Sequence, residues 1–154
     1  MAKMFETADD IQELAYDKFE DTGLAQMGIN LKVMSVTKAK TPLKVSRANA
    51  TIERLIKNED VIILYVYEEA FDRLNDDFKA KLMEGAMSNI FYDNEKDKLN
   101  VETNPVKEIL RMRKKYNDYV DVVETSTLLI DEILEEENRR KAEEREAKKN
   151  KKKN

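Results

Sequence analysis

Imidazole and thiolate carry much of protein catalysis and most zinc chemistry, and this chain of 154 residues has neither histidine nor cysteine. Disulfides, thiol nucleophiles, Ser-His-Asp and Cys-His catalysis and the common zinc sites are therefore closed to it. Carboxylates remain as ligands. Asp93, Asn94, Glu95 and Asp97 place hard-cation oxygen donors in one short stretch. An EF-hand loop starting at Asp93 would need glycine where Lys98 stands and glutamate where Asn104 stands, so the plainer reading is a solvated turn. Glu68, Glu69 and Asp72 offer paired carboxylates for acid-base work, set against the ordinary role of helix-capping or surface charge. No catalytic residue, metal or cofactor is assigned.

Phosphate chemistry has two candidate sources. Gly23, Gly28 and Gly85 are isolated, so there is no glycine-rich phosphate loop. Arg111, Arg113, Lys114 and Lys115 form a basic cluster ending at Tyr116, a combination that can grip phosphates and stack on a base. Lys151, Lys152 and Lys153 close a lysine-rich end with the same capacity. Either group also reads as a solvated helix face. The chain carries −4 overall, and residues 135–154 hold nine basic against six acidic side chains. That local +3 leaves about −7 on the rest, an acidic body that would repel nucleic acid at long range.

Charged residues make up 39% of the chain and hydrophobic ones 41%, enough for a core in a very polar protein. No apolar run approaches the roughly 18–20 residues that cross a bilayer. The N-terminus turns acidic by Glu6 without a signal-type apolar stretch, so the expected location is the cytoplasm.

The elements that must position these residues follow from periodicity. Residues 7–22 read as an amphipathic helix with Thr7 as N-cap, Asp9 and Asp10 in the first turn, and Gly23 as the stop. Alternation from Ile29 to Val36 predicts a half-buried strand, and Leu43, Val45 and Arg47 a second. Ile52, Leu55 and Ile56 suggest a helical turn beneath it. Residues 60–67 are the most apolar stretch, a strand buried on both faces in the middle of the sheet.

Asn75 or Asp76 caps a predicted helix running to about Phe91, with Phe78, Leu82, Met83, Ala86, Met87, Ile90 and Phe91 as its apolar stripe. A charged turn at 93–97 and a short edge strand at 98–103 come next, then a helix from Pro105. Thr125, Ser126 and Thr127 precede a final helix, whose Glu-first i,i+4 pairs (Glu135/Arg139, Glu136/Arg140, Glu137/Lys141, Glu144/Lys148) stabilise a solvated extension fraying into the lysines. Tyr65, Tyr67, Phe71 and Tyr92 are expected in the core or at the sheet edge.

The segment VIILYVYEEAFDRLNDDFKAKLMEGAMSNIFYDNEKDKLNV resembles the core of the phage metallopeptidases, a zincin-like family. There a buried strand leads through an acidic, aromatic-containing turn to a helix bearing H-E-x-x-H, followed by a polar turn and a short strand. Residues 61–67 match the strand, 70–74 the turn and 76–91 the helix, and 43–48 resemble the strand before the buried one. The likeness is one of pattern and covers residues 29–110. Superposed on the motif, Gly85 and Asn89 stand where the histidines would be and Ala86 where the glutamate would be. None supplies an imidazole or a base. The alternative for Gly85 is close packing in an ordinary core helix.

The resulting expectation is an α+β protein: a small mixed sheet packed with helices (residues 1–124), then a charged helix and lysine-rich tail (125–154). The resemblance implies a non-catalytic phage protein on a zincin-like scaffold, acting through a protein partner as host-factor modulator or virion component. The alternative is a nucleic-acid-associated accessory protein using residues 111–115 and the tail. No membrane is involved, and the oligomeric state is open.

Overall fold

The computed structural model describes residues 4–47 and 60–153. The fold is α+β. In chain order it comprises β1 (Met4–Glu6), α1 (Asp9–Asp21), β2 (Asn30–Val36), β3 (Leu43–Arg47), β4 (Val61–Tyr67), α2 (Glu68–Phe71), α3 (Asp76–Met87), β5 (Ile90–Asp93), β6 (Lys98–Val101), α4 (Pro105–Arg113) and α5 (Tyr119–Lys153).

β4 lies inside a four-stranded sheet of order β1-β2-β4-β3. It runs parallel to β2, with Val33 beside Leu64, and antiparallel to β3, with Val45 beside Leu64. The mixed pairing follows from the connections. After the short loop through Pro42, β3 runs back antiparallel to β2, and β4 lies between the two. β4 donates and accepts along both edges, so its side chains find apolar surroundings on both faces. Ile62, Leu64 and Val66 face the main core with Leu31, Val33 and Val45, while Val61 and Ile63 face a smaller cluster with Met34 and Tyr65.

α1 and α3 cover the main face. Ile11, Ala15 and Phe19 recur at helical spacing on α1, and Leu82, Met83, Ala86 and Met87 form the buried stripe of α3. Asn75 caps α3 by accepting the Phe78 amide at 2.8 Å, and Asn104 caps α4 by accepting the Val106 amide at 3.0 Å. Gly23 closes α1 at φ +77°, as a left-handed C′ residue should.

The sequence expectations need correction at four boundaries. Ala8, not Thr7, occupies the N-cap of α1, and its amide goes to Glu68 Oε1 at 2.8 Å instead of to a capping side chain. Thr7 is buried. α3 ends at Met87, not near Phe91, because Ser88 turns its hydroxyl back onto the Gly85 carbonyl at 2.6 Å and Ile90 begins a β-hairpin with Val101 opposite. A β-branched residue and two aromatics fit that hairpin better than a fifth helical turn. The final helix starts at Tyr119, ahead of Thr125–Thr127, and it continues to Lys153 where fraying was expected. The helical turn expected around Ile52, Leu55 and Ile56 lies outside the described residues.

Phe71 and Tyr67 are core residues, while Tyr65 and Tyr92 are half-buried on strands. Among the described residues no helix is long and apolar enough to cross a membrane. Leu64 is fully buried at the centre of the sheet, so Leu64→Ala should lower stability by about 2–5 kcal/mol. Urea unfolding followed by circular dichroism checks this, with the midpoint falling and the slope unchanged.

Candidate functional site

Gly85 sits in the third turn of α3, buried, at the crossing with the start of α5. A methyl group there would overlap the Tyr119 hydroxyl and come within 2.9 Å of its Cζ. Glycine is thus required for the aromatic ring to lie on the helix. Tyr119 is fully buried and donates its hydroxyl to Glu108 Oε2 of α4 at 2.7 Å. Asn89 Nδ2 donates to the other carboxylate oxygen at 2.6 Å. Arg111 reaches the Asn89 side-chain oxygen at 3.2 Å and the Ser88 hydroxyl and carbonyl at 2.7 and 2.9 Å. One chain of polar contacts therefore ties the end of α3 to α4 and α5.

Beside this network lies a cavity of about 390 Å³. Leu82, Ala86, Val45, Ile109 and Val123 give it an apolar floor, and Lys40, Lys44, Asn89, Glu102 and Glu108 supply polar groups. A volume and lining of this kind suit a small ligand or an inserted side chain. The positions matched to the missing motif divide here: Ala86 and Asn89 line the cavity, and Gly85 turns to Tyr119.

The electrostatics make Tyr119 a hydrogen-bond donor and not a base. Burial first, then the facing Glu108 carboxylate, push its hydroxyl far above the ordinary tyrosine range, with Glu84 adding to this and Arg111 opposing it. Glu108 accepts one bond on each carboxylate oxygen, from Asn89 and from Tyr119.

The basic cluster is partly committed to the body. Lys115 meets Glu84 Oε1 at 2.9 Å and Tyr116 donates to the same oxygen at 3.2 Å. The Tyr116 ring also lies under Lys81 Nζ, 5.1 Å from its centroid, and Lys81 pairs with Asp77 and Asp118. Arg113 and Lys114 are exposed, as are Lys151 and Lys152 at the far end of α5. The Lys153 side chain lies outside the described atoms.

Of the acidic groups, Asp93 Oδ1 accepts the amides of Glu95 and Lys96, and Asp97, at φ +47°, accepts the Tyr92 hydroxyl. Glu68 holds the Ala8 amide and Glu69 lies 3.8 Å from Arg73. Among the described residues no group of three or more carboxylates is placed to hold a metal ion.

Glu108 and Tyr119 escaped the sequence reading. Glu108 looks like a first-turn acid favoured by the helix dipole, and Tyr119 precedes the apolar pattern of the last helix. The one signal was the mid-helix glycine, which asked for a large neighbour without saying which. No protein-family model, curated protein or solved structure matches this chain.

Two outcomes test the joint. Gly85→Ala should destabilise the fold by about 1–3 kcal/mol through overpacking against Tyr119, despite alanine's better helix propensity of roughly 1 kcal/mol. Thermal unfolding reads the sign. Because the native state holds the Tyr119 proton far above pH 10, an unfolded chain releases it first as pH rises. Stability present below about pH 10 should then fall with a slope of up to about 1.4 kcal/mol per pH unit. Tyr119→Phe should lack that part of the decline, seen in paired urea titrations. Lys81, Lys115, Tyr67 and Tyr92 are shifted upward too and act alike in both proteins.

Proposed function

We propose that this chain is a non-catalytic interaction protein on a zincin-like scaffold, phage-encoded and acting in the host cytoplasm or virion. It binds a protein partner through the cavity beside Ala86 and Asn89. The observation that carries this reading is what stands at the three motif positions. Glycine and alanine occupy the last turn of α3 and asparagine lies two residues past its end, the space beside Gly85 is filled by Tyr119, and Ala86 and Asn89 line the cavity. A pocket with an apolar floor and a charged rim suits an inserted side chain of a partner. The order of elements, from a buried strand through an acidic turn to a helix and a hairpin, is the order the scaffold reading needs.

The nucleic-acid reading draws support from fewer groups. Lys115 is paired with Glu84 and Arg111 is occupied at the end of α3, while Arg113, Lys114, Lys151 and Lys152 are exposed.

Two measurements test the proposal. Metal analysis and casein cleavage on recombinant protein should give neither bound zinc nor proteolysis, and stoichiometric zinc with cleavage would defeat it. Thr127 is exposed on the cavity rim. Thr127→Trp, which closes the cavity, should abolish capture of a host-lysate partner by the full chain. Capture that survives this change but disappears when residues 135–154 are removed would move the interaction to the tail.

A further inference from the structure

The last helix carries its charges in separated blocks. Residues 131–137 contain five carboxylates and no base, and residues 148–153 contain five lysines and no acid. Within each block the i,i+4 neighbours repel: Asp131 with Glu135, Glu132 with Glu136, Lys148 with Lys152, and Arg145 with Lys149 across the block's edge. Such pairs destabilise an isolated helix and oppose the Glu-first pairs between the blocks, such as Glu137 with Lys141 at 3.7 Å, yet α5 is continuous to Lys153.

The two blocks cannot neutralise each other within one molecule. At 1.5 Å per residue their centres stand about 24 Å apart along a single rod. Among the described residues the body supplies one cation to the acidic block and none to the lysine block. Ile133 is the last buried residue of α5, and Arg73 binds Glu136 through both guanidinium nitrogens at 3.3 and 3.0 Å, fixing the root of the helix. Residues 138–152 are exposed.

We propose that α5 pairs with α5 of a second copy of this chain, antiparallel, with Ala142 of each at the two-fold axis. In that register Glu135 lies opposite Lys149 and Glu132 opposite Lys152, and each pair occurs twice by symmetry. Arg139 against Arg145 is the one like-charged pairing. Glu135, Asn138, Ala142, Glu146 and Lys149 follow one another at spacings of three and four, so they share a face, and alanine at its centre lets the rods approach. The lysine tip of each copy comes to rest at the acidic root of the other. No apolar side chain larger than alanine follows Leu134, so the attraction is electrostatic and sensitive to salt.

Sedimentation velocity on the full chain tests this, at low and high ionic strength over a range of concentrations. A monomer–dimer equilibrium should appear at low salt and weaken about tenfold or more at high salt. Glu132→Lys with Glu135→Lys should dissociate the dimer, and so should Lys149→Glu with Lys152→Glu. The combined fourfold variant should restore it, while circular dichroism confirms that each protein is folded. Because the chain lacks cysteine, Ala142→Cys should oxidise to a disulfide-linked dimer. Asn138→Cys should not, since its equivalents would lie about 12 Å apart along the rods. A monomer at all salts, a dimer indifferent to salt or to both charge reversals, or equal cross-linking at 138 and 142 would overturn the proposal. So would a monomer whose lysine block retains polyanionic nucleic acid on a filter, which would assign the block to nucleic acid.

Discussion

The close contact of Gly85 with Tyr119 is the constraint on which the helical half of the protein depends. A ring on a glycine brings α5 against α3 more closely than any side chain would permit, and the buried hydroxyl then needs an acceptor. Glu108 provides it, which fixes where α4 must lie. With α4 placed, the carboxylate's second oxygen draws in Asn89, and Asn89 in turn meets Arg111. A steric allowance at one residue thus propagates into the relative placement of three helices. The cavity is the space left between that frame and the edge strand β3.

The last helix lives in two environments. Its first four turns belong to the core through Tyr119, Val122 and Ile133. The remainder stands in water, where helix formation by itself is marginal and depends on side-chain pairs and dipole effects. The lysines at its C-terminal end favour the macrodipole. The Arg73–Glu136 pair marks the transition, and mutual hydrogen bonding raises the guanidinium's pKa and lowers the carboxylate's. Both groups are exposed, so their main effect is to orient the rod.

Much of the fold was legible along the chain because its elements are locally overdetermined. Seven apolar residues in a row at 61–67 can only be a strand covered on both faces, and they became the inner strand of the sheet. Asn75 and Gly23 acted where their side chain and φ preference predict. The misplaced boundaries share a cause. Helical periodicity at 76–91 continued past Met87, but pairing with β6 claimed Ile90 for a strand, and that competitor lies across the chain. Likewise the Thr125–Thr127 signal for a helix start was overridden by burial of Val122 and Tyr119, about one and two turns earlier.

Composition by itself determined what chemistry is closed, since a residue type absent from the chain is absent from every fold it adopts. Periodicity and capping determined the kind and rough order of the elements, because those depend on neighbours a few residues apart. Tertiary structure alone decided which charges are free and which are paired. Lys115 and Arg111 look like solvated cations in the sequence, and their partners Glu84, Ser88 and Asn89 come from α3 and the two residues after it, more than twenty residues away. It alone brought Tyr119 to Gly85 and left a cavity beside Ala86. Contacts between distant segments have no local signature, and a void is defined only by the walls that surround it.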